Sequence, residues 1–382
     1  MFFNTFNKNK KQTFLSIDMG STAVKALLFT RANNGDINVI RSATAYYDLY
    51  SVFDSIDFRA DVVKKAILQI SRDLKISSLH EKIDKTFLLL PPQFLKEEIS
   101  WHKISRDRKT KPINSQEEKE IIQQVLDTAK KNILTNLVAA ENEFKFLSFY
   151  INEMKADGYK IERLAGCNAQ EIEFNVLVVY APYEYIQQAK SYFNGFDWKS
   201  FQLVSQGELI WNFFKENNTD AALLDIGADI SRLFIIKNKI LSNILEFSFG
   251  GDDFTKKISD YLGVREQEAL IIKQRYCLKD LSKEFVDKIN QRLVPLLESA
   301  ASTMQFEIAR QSIAMPQVFI SGGGSYIYTA MAKDNPRKVF NYNDLGSSTI
   351  FWNHVFCPKY ILEDRQMINN LLACFYANKK NI

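Results

Sequence analysis

Two short stretches of this chain combine a carboxylate, a glycine and hydroxyl groups in the way a phosphate site needs. The first is Asp18-Met19-Gly20-Ser21-Thr22, followed closely by Lys25. A glycine lets the backbone approach a phosphate, and the flanking N–H and O–H groups are donors for it. Lys25 adds a positive point charge. The second stretch, Asp225-Ile226-Gly227 with Ser231 on the way out, repeats that pattern about two hundred residues later. A plain hairpin with a glycine turn accounts for either stretch alone, and much less well for both. Two further glycine clusters follow. Gly250-Gly251 precedes a helix start, where main-chain N–H groups face outward. Ser321-Gly322-Gly323-Gly324-Ser325 closes an apolar strand.

The elements that must carry these residues are legible from periodicity. Phe14, Leu15 and Ile17 form one apolar run and Val24 to Phe29 another, which predicts two strands joined at the Asp18 turn. A turn at Asn33-Asn34-Gly35-Asp36 leads to a third strand over 37–45. Residues 58–74 have helical spacing, and 86–90 read as a buried strand ending at Pro91-Pro92. Composition changes there for about ninety residues. Within this segment, 101–111 is basic and reads as a solvated loop, with contact to an acidic lipid or partner as the functional alternative. Ser115 is the expected N-cap of a helix to about Asn132, with Glu118 completing a capping box. Strands are expected at 143–155, 159–165 and 171–180, then a helix over 183–193. A short strand at 201–203 leads to an apolar helix beginning near Gln206-Gly207-Glu208. After the second hairpin come a strand over 244–249, helices to Leu262 and from Val264, a long amphipathic helix over 283–310, and a strand over 317–320. Residues 367–376 read as a last apolar core helix, with a membrane-binding helix as the alternative.

Composition sets bounds. The chain has 382 residues, 46% hydrophobic and 25% charged, enough for two lobes with real cores. A net charge of +4 does not by itself point to nucleic acid. The four cysteines, Cys167, Cys277, Cys357 and Cys374, have no metal-ligand spacing; free thiols in a reducing cytosol are the simplest account. No apolar run approaches the roughly 20 residues that span a bilayer. The N-terminal residues read as a frayed tail, and the remaining reading is a weak contact with anionic membrane through Phe2, Phe3, Phe6, Lys8, Lys10 and Lys11.

The order of these motifs resembles the actin superfamily, and within it the FtsA/PilM branch. The first hairpin is similar to the family's first phosphate motif and the second hairpin to its second. The small α+β segment after the opening meander, helix and strand looks like the inserted subdomain of that branch. The resemblance implies an α/β, ribonuclease-H-like duplicated two-lobe fold: a tail at 1–12, a first lobe at 13–90, an inserted α+β subdomain at 91–182, and at 183–382 the return to the first lobe followed by the second. It implies ATP and Mg²⁺ as cofactors, with Asp18 and Asp225 facing each other across a cleft as metal ligands. Gly20, Ser21, Thr22, Lys25, Gly227, Ser231, Gly250 and Gly251 would surround the phosphates. Glu268-Ala269-Leu270-Ile271-Ile272-Lys273 is similar to the family's Glu-Ala-Glu-x-x-Lys run near the ribose and base, with Leu270 in place of the second glutamate. Glu268 and Lys273 carry over. Gly322, Gly323 and Gly324 fit the adenosine loop, although Tyr326-Ile327-Tyr328-Thr329 departs from the pattern that usually follows. Gln206 or Glu208 would orient the attacking water, with a surface or capping role as the alternative. The short tail before Asp18 and the close of the chain after Tyr376 favour the PilM type. That type is a cytoplasmic ATP-binding scaffold of the type IV pilus platform, peripheral to the inner membrane through the N-terminal tail of a PilN-like partner. Self-assembly is a further implication, nucleic acid is not, and ATP hydrolysis would be slow at most. An FtsA-like division adaptor is the alternative, and a small-molecule kinase of the same superfamily is more remote.

Overall fold

The computed structural model describes residues 11–47, 60–76, 82–106, 111–193, 201–217, 220–310, 317–334, 343–344, 355–356 and 364–377. The opening apolar runs form a meander of β1 (Gln12–Met19), β2 (Ala23–Arg31) and β3 (Ile37–Tyr46), followed by α1 (Ala60–Asp73) and β4 (Lys85–Leu89). β1 and β2 are buried on both faces. Period-two alternation explains this, because successive side chains point to opposite sides. Phe14, Leu27 and Phe29 join one core and Leu15, Ile17, Val24 and Leu28 the other. α1 covers the second face with Val62, Val63, Ala66, Ile67 and Ile70. The first face is covered by α4 (Gln206–Asn217) and α9 (Ile368–Ala377).

The middle of the chain builds a separate antiparallel sheet from β5 (Lys96–Ser105), β6 (Phe144–Ala156), β7 (Tyr159–Ile161) and β8 (Glu171–Pro182), in the order β5-β8-β6-β7. Helix α2 (Ser115–Leu137) packs on it through Ile121, Val125, Ala129 and Ile133. Two expectations change here. The basic stretch expected as a loop from residue 101 is strand as far as Ser105, because His102 and Ile104 turn inward while Lys103 pairs outward with Glu171 at 2.7 Å. Residues 107–110 lie outside the described residues. The cap of α2 is Asn114 rather than Ser115: its side chain accepts from the N–H groups of Gln116 and Glu117, both at 2.9 Å. Glu118 instead accepts from the N–H of Leu164 at 3.0 Å, tying α2 to the loop before β8.

α3 (Tyr183–Tyr192) and β9 (Phe201–Leu203) return the chain to the first sheet, whose order is β15-β3-β2-β1-β4-β9, with β15 (Val355–Phe356) at the far edge. Beyond α4, the second half repeats the plan with β10 (Ala221–Ile226), β11 (Ser231–Lys237), β12 (Ile240–Phe247), β13 (Gln317–Ser321) and β14 (Asn343–Asp344). Their order is β12-β11-β10-β13-β14. In each sheet the third, second and first strands of a meander are antiparallel, and two more strands join parallel beside the first. The same order in both halves is the signature of a duplicated unit. Helices α5 (Gly251–Leu262), α6 (Glu266–Cys277), α7 (Lys283–Arg310) and α8 (Ser325–Asp334) enclose the second core. Residues 1–10, which hold every group of the expected membrane contact except the exposed Lys11, lie outside the described residues, as does Cys357. Cys167, Cys277 and Cys374 are free thiols.

Candidate functional site

Between the two duplicated sheets lies a cavity of about 680 Å³. Its walls are the β1–β2 turn, the β10–β11 turn, the Gly322–Gly324 loop, the start of α5 and one stripe of α6. The two turns have the same internal bond. Gly20 N–H donates to the Ala23 carbonyl at 2.9 Å, and Gly227 N–H to the Ile230 carbonyl at 3.1 Å. Within the described residues, the hydroxyls and main-chain N–H groups of Ser21 and Thr22 donate no hydrogen bond, which leaves them for a ligand. The glycine loop is tight for a physical reason. Gly322 has φ of 88°, and a Cβ there would run into the Ile226 carbonyl; a Cβ on Gly324 would lie 2.7 Å from the Gly227 oxygen. The loop packs backbone against backbone under the second turn, where no larger residue fits.

Charge is concentrated at the cavity floor. Lys25 lies 3.0 Å from Asp18. Burial alone would lower the lysine's pKa, but Asp18, with Asp225 and Asp364 behind it, raises it overall, so the amine is a cation. Asp225 accepts from Ser321 Oγ at 2.8 Å and from Gln206 Nε2 at 2.9 Å. The second Gln206 hydrogen goes to Asn369 Oδ1 at 2.9 Å, and Asn369 Nδ2 donates to Asp18 at 3.2 Å. Asp18, Asn369, Gln206 and Asp225 therefore form one continuous chain between the two hairpins. With both amide hydrogens engaged, Gln206 presents only its carbonyl oxygen as a group without a partner among the described residues. On the α6 wall, Lys273 donates to the Gly251 carbonyl at 2.7 Å. Desolvation lowers its pKa against the pull of Asp252.

Of the residues singled out from sequence, the structure brings Asp18, Gly20, Ser21, Thr22, Lys25, Gln206, Asp225, Gly227, Gly251, Lys273, Gly322, Gly323 and Gly324 to this cavity. Four others lie elsewhere. Ser231 is wholly buried and donates to the Phe249 carbonyl at 2.6 Å. Strand alternation gives Asp225's face to Arg232 instead, since these two are directly opposed in the hairpin. Gly250 sits behind the wall, its N–H bonded to Asp253 at 2.7 Å. Glu268 is exposed and caps its own helix, accepting from Arg265 N–H at 3.0 Å, and Arg265 holds its carboxyl below the usual range. The cavity stripe of α6 is Leu270, Lys273, Gln274 and Cys277, and position 268 lies off it. Glu208, two residues after Gln206, points away from the cleft for the same reason. Its carboxylate accepts from the hydroxyls of Tyr150 and Tyr376. Burial pushes its pKa up, against the pull of the two phenols.

Among the cavity residues that went unnoticed in the sequence, Asn369, Arg232 and Glu97 carry side chains that join its polar contacts. Asn369 sits in an apolar helical run and carries no motif. Arg232 and Glu97 are ordinary surface types, paired where the inserted sheet's β5 meets β11 and β12 of the second sheet.

A second, smaller cavity of about 300 Å³ opens on the other side of α4. Its walls come from β6 (Lys145 to Ser148 and Tyr150), α3 (Ile186 and Lys190) and β9, with Glu208 among them. β9 is the edge of the first sheet, and β7 covers β6 only over Met154–Ala156. Two strand edges therefore border this space.

Duplicated sheets of this order, with paired Asp-x-Gly turns facing one cavity, define an actin-like ATPase fold. The chain is similar to PilM in the PilM–PilN type IV pilus biogenesis complex, with a TM-score of 0.65 at 12% identity, over 95% of this chain and 98% of that one. It is also similar to the ethanolamine utilization protein EutJ from Carboxydothermus hydrogenoformans, with a TM-score of 0.50 at 12% identity, over 96% of this chain and 90% of that one. At such identity the likeness is one of fold. No family model matches the chain, and no curated protein matches its sequence. Among the described residues no helix is long and apolar enough to cross a membrane.

Proposed function

We propose that this chain is a nucleotide-switched scaffold of the PilM type, which binds Mg·ATP between its lobes and holds the extended tail of a membrane protein on its inserted sheet. The observation that carries the reading is the convergence of both Asp-x-Gly turns and the Gly322–Gly324 loop on one cavity. The residues present fit the ligand. Unbonded donors at Ser21 and Thr22 suit phosphate oxygens, and the glycine loop, packed backbone against backbone on the second turn, offers the cavity a wall with no side chains. A volume of about 680 Å³ is that of a small-molecule site.

Asp18 and Asp225 would hold Mg²⁺. Among the described residues no group of three or more His, Cys, Asp or Glu is placed to bind a metal. Two carboxylates with water and phosphate are the usual Mg²⁺ arrangement. When bound, the ion neutralises phosphate charge. Lys25 and Lys273 would add positive charge on opposite walls, and the Gln206 carbonyl would accept from a water. Asp18, Lys25, Gln206 and Asn369 lie on the first lobe's elements and Asp225 and Lys273 on the second's, so a ligand touching both sets favours a closed cleft. ATP then acts chiefly as a conformational ligand.

For the partner, the second cavity supports docking by strand addition, because the open edges of β6 and β9 supply main-chain groups to an extended peptide. The PilM structure is of a complex with PilN, and a PilN-like tail is the proposed occupant here. This would hold the chain at the cytoplasmic face of the inner membrane, with 91–182 as the partner-binding insertion. Mg·ATP calorimetry on the purified chain tests the nucleotide reading. Asp18→Ala and Asp225→Ala are expected to abolish binding while leaving the circular dichroism spectrum intact. Unchanged affinity in both variants would sink it. Anionic liposomes in the same cell decide the alternative, since direct lipid association would favour an FtsA-like adaptor.

A further inference from the structure

Arg232 is the one arginine among the described residues lining the main cavity, and it sits directly across the hairpin from Asp225, on the same face. It is about nine-tenths buried, yet only one of its three nitrogens is hydrogen-bonded. Nη2 meets Glu97 Oε2 at 2.5 Å, while Nε is buried without a hydrogen-bond partner, 3.9 Å from Glu246. Glu97 belongs to β5, has a fully buried side chain, and spends its other oxygen on the Gly207 N–H at 2.6 Å, beside Gln206. A single carboxylate thus ties the inserted sheet to the second phosphate turn and to the start of α4.

We propose that Arg232 is a further phosphate-binding residue, held in reserve by Glu97, and that its transfer from Glu97 to a phosphate of the nucleotide couples the main cavity to the inserted sheet. This rests on the nucleotide reading above. The chemistry is a competition between two anions for one planar guanidinium, whose fork suits phosphate oxygens as well as it suits a carboxylate. When the guanidinium turns to the phosphate, Glu97 is left buried with only the Gly207 N–H. An uncompensated buried charge is strongly unfavourable, so β5 must shift or open to let water reach it. The displacement has a direct route. Glu97 pairs with Val179 on β8, and Val179 pairs with Ser148 on β6, so one row of residues crosses the sheet from the main cavity to the second cavity, which Ser148 lines. The two states of Arg232 give the coupling a discrete switch, as transmission between distant sites requires.

The test compares wild type, Glu97→Gln and the double variant Glu97→Gln/Arg232→Met for ATP and adenosine binding by calorimetry. The glutamine is isosteric and keeps an oxygen for Gly207. The double variant leaves no unpaired charge, which protects against simple misfolding. Glu97→Gln is expected to bind ATP roughly tenfold more tightly, the scale of one charge-assisted hydrogen bond no longer opposed. The double variant should lose that gain, and adenosine should bind all three alike. Hydrogen exchange supplies the second readout: ATP should speed exchange across Lys96–Ser105 in wild type, and Glu97→Gln should exchange fast without ATP. ATP binding to wild type with no change in either variant, or an unaltered β5, overturns the proposal. Wild type that fails to bind ATP at all overturns the nucleotide reading, and this inference with it.

Discussion

Replacing Glu208 separates two jobs open to a carboxylate in the first turn of α4. If it oriented a catalytic water, its loss would affect the nucleotide; the structure instead makes it a structural acceptor on the far side of the helix. One oxygen takes both the Tyr150 and Tyr376 hydroxyls, and Tyr376 also accepts from Gln202 at 3.2 Å. Alanine removes the common acceptor of two partly or fully buried phenols. Each orphaned donor costs about 1–3 kcal/mol. Water entering from the second cavity, which Glu208 lines, recovers part of this, so a net loss of about 2–4 kcal/mol is expected. Glutamine keeps a carbonyl acceptor and should cost less. It also removes a titration. Burial, with Glu97 adding to it, raises the Glu208 pKa despite the two phenols. A carboxyl whose folded pKa is raised binds its proton more tightly in the folded state. Its contribution is complete below the unfolded value of about 4.3 and is lost as pH climbs through the raised folded value. Wild-type stability measured against Glu208→Gln should therefore decline with rising pH across that window and level off above it. Urea unfolding followed by circular dichroism over a pH series measures both effects, with ATP calorimetry on the same samples. Alanine within about 0.5 kcal/mol of wild type, a pH-independent difference, or a severalfold change in ATP affinity would each refute the assignment.

Three further outcomes follow from the site and its supports. Gly324→Val should abolish ATP binding and destabilise the second lobe by more than about 2 kcal/mol, because its Cβ would lie 2.6 Å from Ile226 Cγ2 and 2.7 Å from the Gly227 oxygen; calorimetry and urea unfolding check it. Since desolvation lowers the Lys273 pKa, ATP affinity should weaken at a lower alkaline pH than an ordinary lysine near 10.4 would give, and Lys273→Arg should remove that limb of the binding profile. Asn114→Ala should cost about 1 kcal/mol through the loss of the α2 cap, measured by urea unfolding with nucleotide affinity unchanged.

The fold was legible where the sequence repeats itself. Asp18-x-Gly20 and Asp225-x-Gly227 each sit between apolar runs, and that local grammar is enough to place two hairpins and to suggest duplication. Faces were harder to read. Gln206 and Glu208, or Ser231 and Arg232, differ by one or two positions, and only the register of a strand or the phase of a helix decides which faces the cleft. Glu268 shows the same limit, since a motif gives spacing without the rotation of α6. Asn369 and the Glu97–Arg232 pair could not be read at all, because each is made by elements far apart in the chain. Asn114 took the cap from Ser115 because its side chain reaches two N–H groups at once, a choice that propensity leaves open.

The amide chain at the cavity floor also limits how the two halves can move. Asn369 and Gln206 sit on α9 and α4, the helices that pack together beneath the cleft, and between them they hold Asp18 and Asp225. In the proposed closure of the cleft that floor would act as the pivot, and the freedom left to the halves would be a rotation about it. Tyr46 and Leu278 belong to opposite halves of the lining and are well exposed, which puts them at the rim. Being farther from that floor than the aspartates, they would move toward each other more than the aspartates do in such a closure. Spectroscopic labels at positions 46 and 278 would register opening and closing that labels near the floor would miss.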